Sequence, residues 1–562
     1  MTSFFSFTRM ARLGCLTVGA FLVCFLCVQG AVGAGLTVDS VEFVQPGGQF
    51  SRYHLALNVA NETVGTATVT SVAVDGAAHE NIAVFVDETL SKDNTIPTGK
   101  KACVRLSFPW LNSTEYAIQL NAEAEEPFHV LTKAATPSKG GYWNAAWKEY
   151  KVLNVAEEAG INRQNEPVTV MLNLPVEQLR DPAKELRLVQ MNQAGGYKEV
   201  PIQILETSSV NVESEDYPDT IACRFLFYAT IQANSTHRYI IFFDNPNAPA
   251  PTPPEPTGLE VTGEGLGLTI ENPYYRITLA KQSGQINGIF IKQGVEQQLS
   301  HAGNAIHWNP GCYSPPRPWG HTYDWNPPEG NSETRGPFVY ILKRWGILPQ
   351  LPEVWVSVTY KFFAHKPHVL MSSTISVRED IDVLALRNDE MVFEPQLFSD
   401  LGWRDKQGTI HTMPLGQNPS LEIGYTQVLP ADTPWLCFFK PEGGYGYGSL
   451  RLAYGAANTE GVEPVRYNEA THITAPSSIV YWYRGLIYHY FPSGPKHLFT
   501  KAKKGSVYHE TNAYLPFPLV ESSGKELNRI DGTYERLTHP LQVSLVDWGR
   551  DDLLAVGQRE KK

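Results

Sequence analysis

Between His301 and Asn326 the chain gathers three histidines and three tryptophans, and these residue types suggest proton transfer beside a flat ligand. His307, His321 and Tyr323 are the groups that would move protons; histidine titrates near neutral pH without tuning, and tyrosine can act as an acid or, beside a cation, as a base. Trp308, Trp319 and Trp325 offer indole faces that suit the apolar face of a sugar ring. His321 and Tyr323 are two residues apart, so an extended backbone would project both to one side. Pro310, Pro315, Pro316 and Pro318 argue against regular structure here, and so much aromatic content argues against disorder. The expectation is an ordered loop that presents its side chains to a ligand; the alternative is an aromatic lid over the core.

A second constellation interrupts an apolar strand at Arg387-Asn-Asp-Glu390. Arg387 has the planar fork that suits a substrate carboxylate, with Glu390 as a further binding group. An internal Arg387–Asp389 or Arg387–Glu390 pair is the competing reading, since buried charges need partners. His411 follows Trp403 and Arg404 on an expected loop and is a further binding candidate. Tyr488, His489, Tyr490, His509 and Glu510 come later; a lone histidine on an aromatic strand is more often a core residue, so His489 ranks low.

The residue types weigh one chemistry against another. β-Elimination at a uronate needs a group to neutralise the carboxylate, a base for the C5 proton and an acid for the leaving oxygen. Arg, His and Tyr fit those roles. Hydrolysis needs two carboxyl groups at a defined separation. The loop holds one, Asp324, and Asp389 or Glu390 would have to supply the other. The expectation is therefore a polysaccharide lyase on an acidic glycan. A glycoside hydrolase with a carboxylate pair, or a non-catalytic glycan-binding or surface-assembly protein, is the alternative. No dinucleotide fingerprint, P-loop, nucleophile elbow or His-Glu-x-x-His motif occurs, so no cofactor is expected. Cys103, Cys223, Cys312 and Cys437 lack metal-ligand spacing, so no metal is expected; they would form up to two disulfides or stay as buried thiols.

The elements that must hold these groups emerge from alternation along 562 residues. Residues 1–34 read as a secretory signal: Arg9 and Arg12, the apolar run Leu13–Val28, then Val32-Gly-Ala34. No later run is long and apolar enough to span a bilayer, so the expected location is secreted or periplasmic, with no membrane partner. The formal charge of −12 becomes −14 without the signal's two arginines. Lys/Arg runs are lacking, so nucleic acid is not an expected partner, whereas a polysaccharide or oligosaccharide is. Strands with period-two alternation fill residues 35–130, with Asp75-Gly76 as a turn. A second β-rich unit covers 131–248, a Pro-rich linker 249–257, and a large domain 258–562. In the last, Val354, Val356, Val358, Tyr360 and Phe362 share one strand face and Trp355, Ser357, Thr359 and Lys361 the other, as in an antiparallel sheet with one buried face. The linker is expected to separate independently packed units. Helical signals are few: a weak one over Pro175–Leu186 and the charged C-terminal tail. Asn61, Asn112 and Asn234 head glycosylation sequons, which suggest exposure.

Three resemblances follow from the motifs. The first segment resembles immunoglobulin-like modules of exported proteins. Asn162-Arg-Gln-Asn-Glu-Pro-Val168, Glu199-Val-Pro-Ile-Gln203 and Tyr239-Ile-Ile-Phe-Phe-Asp-Asn-Pro246 resemble the small RIFT-type barrel of exo-rhamnogalacturonan-lyase-like proteins. Asn272-Pro-Tyr-Tyr-Arg-Ile-Thr-Leu279 followed by Ser283-Gly-Gln-Ile-Asn-Gly-Ile289 resembles the opening of galactose-mutarotase-like β-supersandwich domains, which occur in α-mannosidases and polysaccharide lyases. The resemblances imply an all-β, multidomain, carbohydrate-active protein with its catalytic domain at 258–562. The lyases of this kind often carry a helical toroid, and no series of amphipathic helices is present, so none of their catalytic residues is carried over.

Overall fold

A computed structural model gives the structure of the protein over residues 35–545, apart from 45–53, 88, 109–114, 136–143, 145, 192–196, 211–218, 302, 416–424, 463–465, 468, 476–478, 490–498 and 520–526. The signal segment 1–34, the sequon at Asn112 and Tyr490 lie outside the described residues. The fold class is all-β with antiparallel sheets, as the alternation predicts.

Residues 36–135 form two antiparallel sheets around one core. One runs in the order Leu36–Val44, His54–Asn61, Lys101–Ser107, Ile82–Val86, Thr89–Leu90; the other in the order Pro127–Ala135, Glu115–Glu123, Ala67–Val74, Ala77–His79. Period-two patterning sends Leu55, Leu57, Val72, Val104 and Ile118 inward. Asp75 and Gly76 turn the Val74–Ala77 hairpin with positive φ at both, 48° and 86°, which is why an Asp-Gly pair sits there. Asn61 corrects the exposure its sequon suggested. It is 1% exposed and donates to the carbonyls of Gly65 and Ile96. Asn234 is exposed, with φ 54°.

Residues 153–211 and 219–544 form a single compact unit. In its first part Arg163–Pro175 pairs with Thr220–Ile231, which pairs with Gln203–Val210. Arg187–Met191 lies between Tyr197–Val200 and Thr236–Phe243. The expected separation at 249–257 is corrected. Leu226, on the N-terminal side of the prolines, shares a core cluster with Phe338, Val339 and Phe363 on the other. The Gln203 amide accepts from the N–H groups of Phe338 and Val339 at 2.9 and 3.0 Å and donates to the Val339 carbonyl. Proline density marks an extended connection, but the apolar strand faces on both sides are buried against each other.

The later part packs a nine-stranded sheet onto a six-stranded one. The nine run in the order 330–334, 339–348, 351–363, 369–377, 506–518, 445–458, 435–440, 400–404, 410–414; the six in the order 320–321, 311–313, 385–393, 480–488, 470–474, 425–430. Val354, Val356, Val358, Tyr360 and Phe362 are all fully buried, as the alternation requires. They share one core with Leu386, Met391, Phe393 and Trp482 of the six-stranded sheet and with Ile277 and Ile289 of a five-stranded sheet over 260–299. Helix is confined, among the described residues, to Pro182–Glu185, Asn528–Thr538 and short 3-10 turns. The helix at Asn528–Thr538 was not anticipated; its glycine and high polarity hide the period. The four cysteines among the described residues, Cys103, Cys223, Cys312 and Cys437, are free thiols, and burial pushes Cys312 up to about 12.

Candidate functional site

The segment read as an irregular loop is in part sheet. Residues 306–308 run beside the strand Ala385–Phe393: the Val392 N–H donates to the Ile306 carbonyl and the Trp308 N–H to the Glu390 carbonyl. Gly311–Tyr313 pairs with that same strand, and Gly320–His321 pairs with Gly311–Tyr313. A 3-10 turn, Thr322–Asp324, follows. Gln285 fixes the turn from below: its amide donates to Thr322 Oγ1 at 2.7 Å and accepts from the Tyr360 hydroxyl at 2.7 Å.

Register explains how the site is assembled. Arg387 lies opposite Gly311 on one side and Gly485 on the other, and Gly311 lies opposite His321. With no side chains at the two glycines, rings from neighbouring positions close over the guanidinium. Arg387 Cζ sits 4.3 Å from the Trp319 ring centre and 3.8 Å from that of Tyr483. A Cβ at Gly311 would lie 2.4 Å from both His321 Cδ2 and Asn309 Oδ1, so any larger residue would displace those side chains. Arg387 and Glu390 are three apart and would face opposite ways in a regular strand. The register shifts between Asn388 and Met391, and Asp389 adopts φ 48°; this bulge brings both residues to the same side. Arg387 Nη1 then donates to Glu390 Oε1 at 3.0 Å.

Around that pair stands a column of rings. Tyr313 stacks on Trp319 at 5.0 Å, Trp319 on His321 at 5.0 Å, and His321 on Tyr323 at 5.1 Å. Trp308 closes on Tyr323 at 5.2 Å. His321 and Tyr323 do meet on one side, but through the 3-10 turn Thr322–Asp324 rather than the extended backbone expected from their spacing. His321 is 5% exposed. Its Nδ1 lies 3.8 Å from Asp324 and its Nε2 4.0 Å from Glu390 Oε2, an oxygen with no hydrogen bond. Trp308, Tyr313, Trp319, Tyr323 and Tyr481 remain part-exposed, so the outer face of the stack meets solvent.

The remaining expectations divide. Arg387 is 6% exposed and already holds Glu390, so the internal pair replaces the expected free carboxylate clamp. Glu390 is fully buried, and its second oxygen faces His321 Nε2. A base role for Tyr323 requires a cation that lowers its pKa; instead burial, and after it Asp324, push the phenol up, which leaves it a proton donor. His307 is a core residue. It is fully buried, its two ring nitrogens lie 2.5 and 3.3 Å from the Tyr360 and Tyr514 hydroxyls, and burial with Arg344 nearby lowers it to about 3. Trp325 is 3% exposed in the main core and donates to the Ile347 carbonyl. His411 stacks on Trp403 at 5.1 Å and pairs with Asp405, on the far edge of the nine-stranded sheet. His489 stacks on Tyr467 and bonds Thr500.

Sequence reasoning missed Tyr313, Tyr481, Tyr483 and His472. Tyr481 and Tyr483 alternate with the core Trp482, a period-two signal that was available. His472 lies on the neighbouring strand and stacks on Tyr483 at 5.1 Å; no local pattern marks it. Asp389 turns inward. It accepts from Ser449 Oγ and from Arg451 Nε and Nη2 at 3.0–3.2 Å, all buried. Among the described residues no cluster of His, Cys, Asp and Glu could hold a metal ion. No helix among them is long and apolar enough to cross a membrane.

No family model matches the chain, and no curated protein matches it. Among solved structures it is similar to a glycosyl hydrolase family 38 protein from Enterococcus faecalis at 11% identity, with TM-score 0.43 over 72% of this chain and 48% of that one. It is also similar to an alpha-mannosidase from Enterococcus faecalis V583 at 9% identity, with TM-score 0.45 over 72% and 47%. A galactose mutarotase-like protein from Lactobacillus casei matches at 10% identity, with TM-score 0.27 over 44% of this chain and 99% of that one. The chain spans about half the length of the two Enterococcus faecalis proteins.

Proposed function

We propose that the protein is a glycan-processing enzyme whose part-exposed ring stack holds sugar rings and whose His321 transfers the proton. One observation carries this reading: His321, between Asp324 and Glu390, stands inside a stack of aromatic rings that reaches solvent. Tyr313 and His321 cover the two faces of Trp319, so a saccharide would lie along the exposed ring edges of the stack and on the part-exposed Trp308, with its oxygens at the imidazole edge. Glu390 acts as a positioning residue, buried behind the imidazole and held by Arg387. Tyr323, kept neutral, donates a hydrogen bond or a proton to a sugar oxygen.

Hydrolysis now ranks ahead of β-elimination. Elimination at a uronate wants a cation free to neutralise the substrate carboxylate, and Arg387 is engaged by Glu390 and two ring faces. Of the carboxyl groups that hydrolysis needs, Asp324 is exposed beside His321 and is the candidate, while Glu390, buried behind the imidazole, positions it. Export directed by residues 1–34 belongs to the same proposal, since an extracellular glycan must meet the enzyme outside the cytoplasm. The test is a screen of the purified chain against neutral and acidic glycans, scoring new reducing ends and unsaturated uronides separately. New reducing ends without unsaturation support hydrolysis; unsaturated products return the reaction to elimination. Tight glycan binding with no product over long incubation would contradict the enzyme reading and leave a binding protein.

A further inference from the structure

The Asn162–Glu166 motif leads to a second place in the molecule. Arg163 pairs with Glu157 and donates to the carbonyls of Arg536 and His539, which fastens the end of the helix Asn528–Thr538. Glu166 pairs with Lys366 at 2.7 Å. Between these anchors lies a polar cavity of about 340 Å³. The helix lines it with Arg529, Thr533, Arg536 and Leu537, positions i, i+4, i+7 and i+8 of one face. The segment after strand 351–363 supplies Lys366 and His368.

We propose that this cavity binds a small oxyanion: a carboxylate, sulfate or phosphate group. Three cations line it against one carboxylate, Glu166, which Lys366 already holds. Arg529 donates to Gln293 and Arg536 to Thr533, and among the described residues neither pairs with a carboxylate. Each keeps donors to spare, and a guanidinium fork matches the paired oxygens of an oxyanion. His368 gives an independent pointer. It is 4% exposed, it lines the cavity, and its Nδ1 has no hydrogen-bond partner. A buried ring nitrogen without a partner is costly, and a bound oxygen would supply one. No residue of this lining belongs to the aromatic site, so the two assignments stand or fall separately.

The experiment is calorimetric titration of the full chain at low ionic strength with sodium sulfate, sodium phosphate and sodium glucuronate, with glucose as the neutral control. At least one oxyanion should bind and glucose should not. Binding of glucuronate alone marks the carboxylate of an acidic saccharide; binding of sulfate or phosphate alone marks a tetrahedral oxyanion. In R529Q/R536Q affinity should fall about 100-fold, about tenfold for each arginine, with an unchanged circular dichroism spectrum. Should that variant not fold, R529Q alone should weaken binding about tenfold. Absence of binding by all three anions, equal binding of glucose, or unchanged affinity in a folded variant overturns the assignment.

Discussion

His307 gives the sharpest test of which histidine belongs to the core. Its ring is fully buried, with both nitrogens facing phenol hydroxyls, and burial holds its pKa near about 3. In the unfolded chain it would titrate near the usual ~6.5. As pH falls from about 6.5 towards 3 the unfolded state takes up a proton that the folded state refuses. Stability is therefore complete above pH ~6.5 and is lost progressively below it. At pH 4.5, two pH units below the unfolded value, the loss from this one residue is about 3 kcal/mol, at 1.36 kcal/mol per unit. His368 and His472 are also lowered to about 3, chiefly by burial, and add losses of the same sign. The perturbation is His307→Gln, which removes the titration while keeping polar atoms near Tyr360 and Tyr514. Urea unfolding at pH 7.5 and pH 4.5, followed by tryptophan fluorescence, gives the drop in stability for each protein. The wild-type drop should exceed that of the variant by about 3 kcal/mol, with the variant less stable at pH 7.5. Equal drops, or a variant of unchanged stability that has lost turnover, would refute the core assignment and return His307 to the chemistry.

Two further perturbations probe how the site is held. Asp389→Ala should cost about 3–5 kcal/mol in urea unfolding, because it leaves the buried Arg451 without its counter-ion. Asp389→Asn should cost less, since asparagine tolerates φ 48° and still accepts a hydrogen bond; equal losses would mean that the hydrogen bond and the backbone conformation matter little there and that the lost charge accounts for the whole cost. Gly311→Ala should push His321 aside, as its Cβ would fall 2.4 Å from His321 Cδ2, and should lower turnover on the order of 100-fold while the fold persists. An alanine variant of wild-type activity would mean that the position of His321 does not govern the reaction.

Local patterning carried most of the architecture. The alternation from Val354 to Phe362 named the buried face of the strand 351–363 correctly, and Asp75-Gly76 marked the hairpin between Val74 and Ala77 in the first segment. Much of the candidate site was legible too, because a dense run of His, Trp and Tyr is rare and His321 and Tyr323 share a side. The depth of each residue in the fold was not legible. His307 and Trp325 look like their neighbours in sequence, yet the first faces two core tyrosines and the second the main core. The Arg387–Glu390 pair depends on a bulge at Asp389, and a one-residue register shift leaves no mark in composition. Proline density at 249–257 misled for a related reason: it reports local stiffness, whereas packing across it depends on distant strand faces.

The most direct test of the central claim is turnover by the His321→Ala variant on whichever glycan the wild-type protein converts. The variant's melting temperature and circular dichroism would be measured alongside, to confirm that the fold is kept. Turnover should fall on the order of 100-fold or more, the usual worth of a positioned proton-transfer group, with substrate affinity falling far less because Trp308 and the exposed ring edges still meet the sugar. A folded His321→Ala protein that turns over at the wild-type rate would contradict the account.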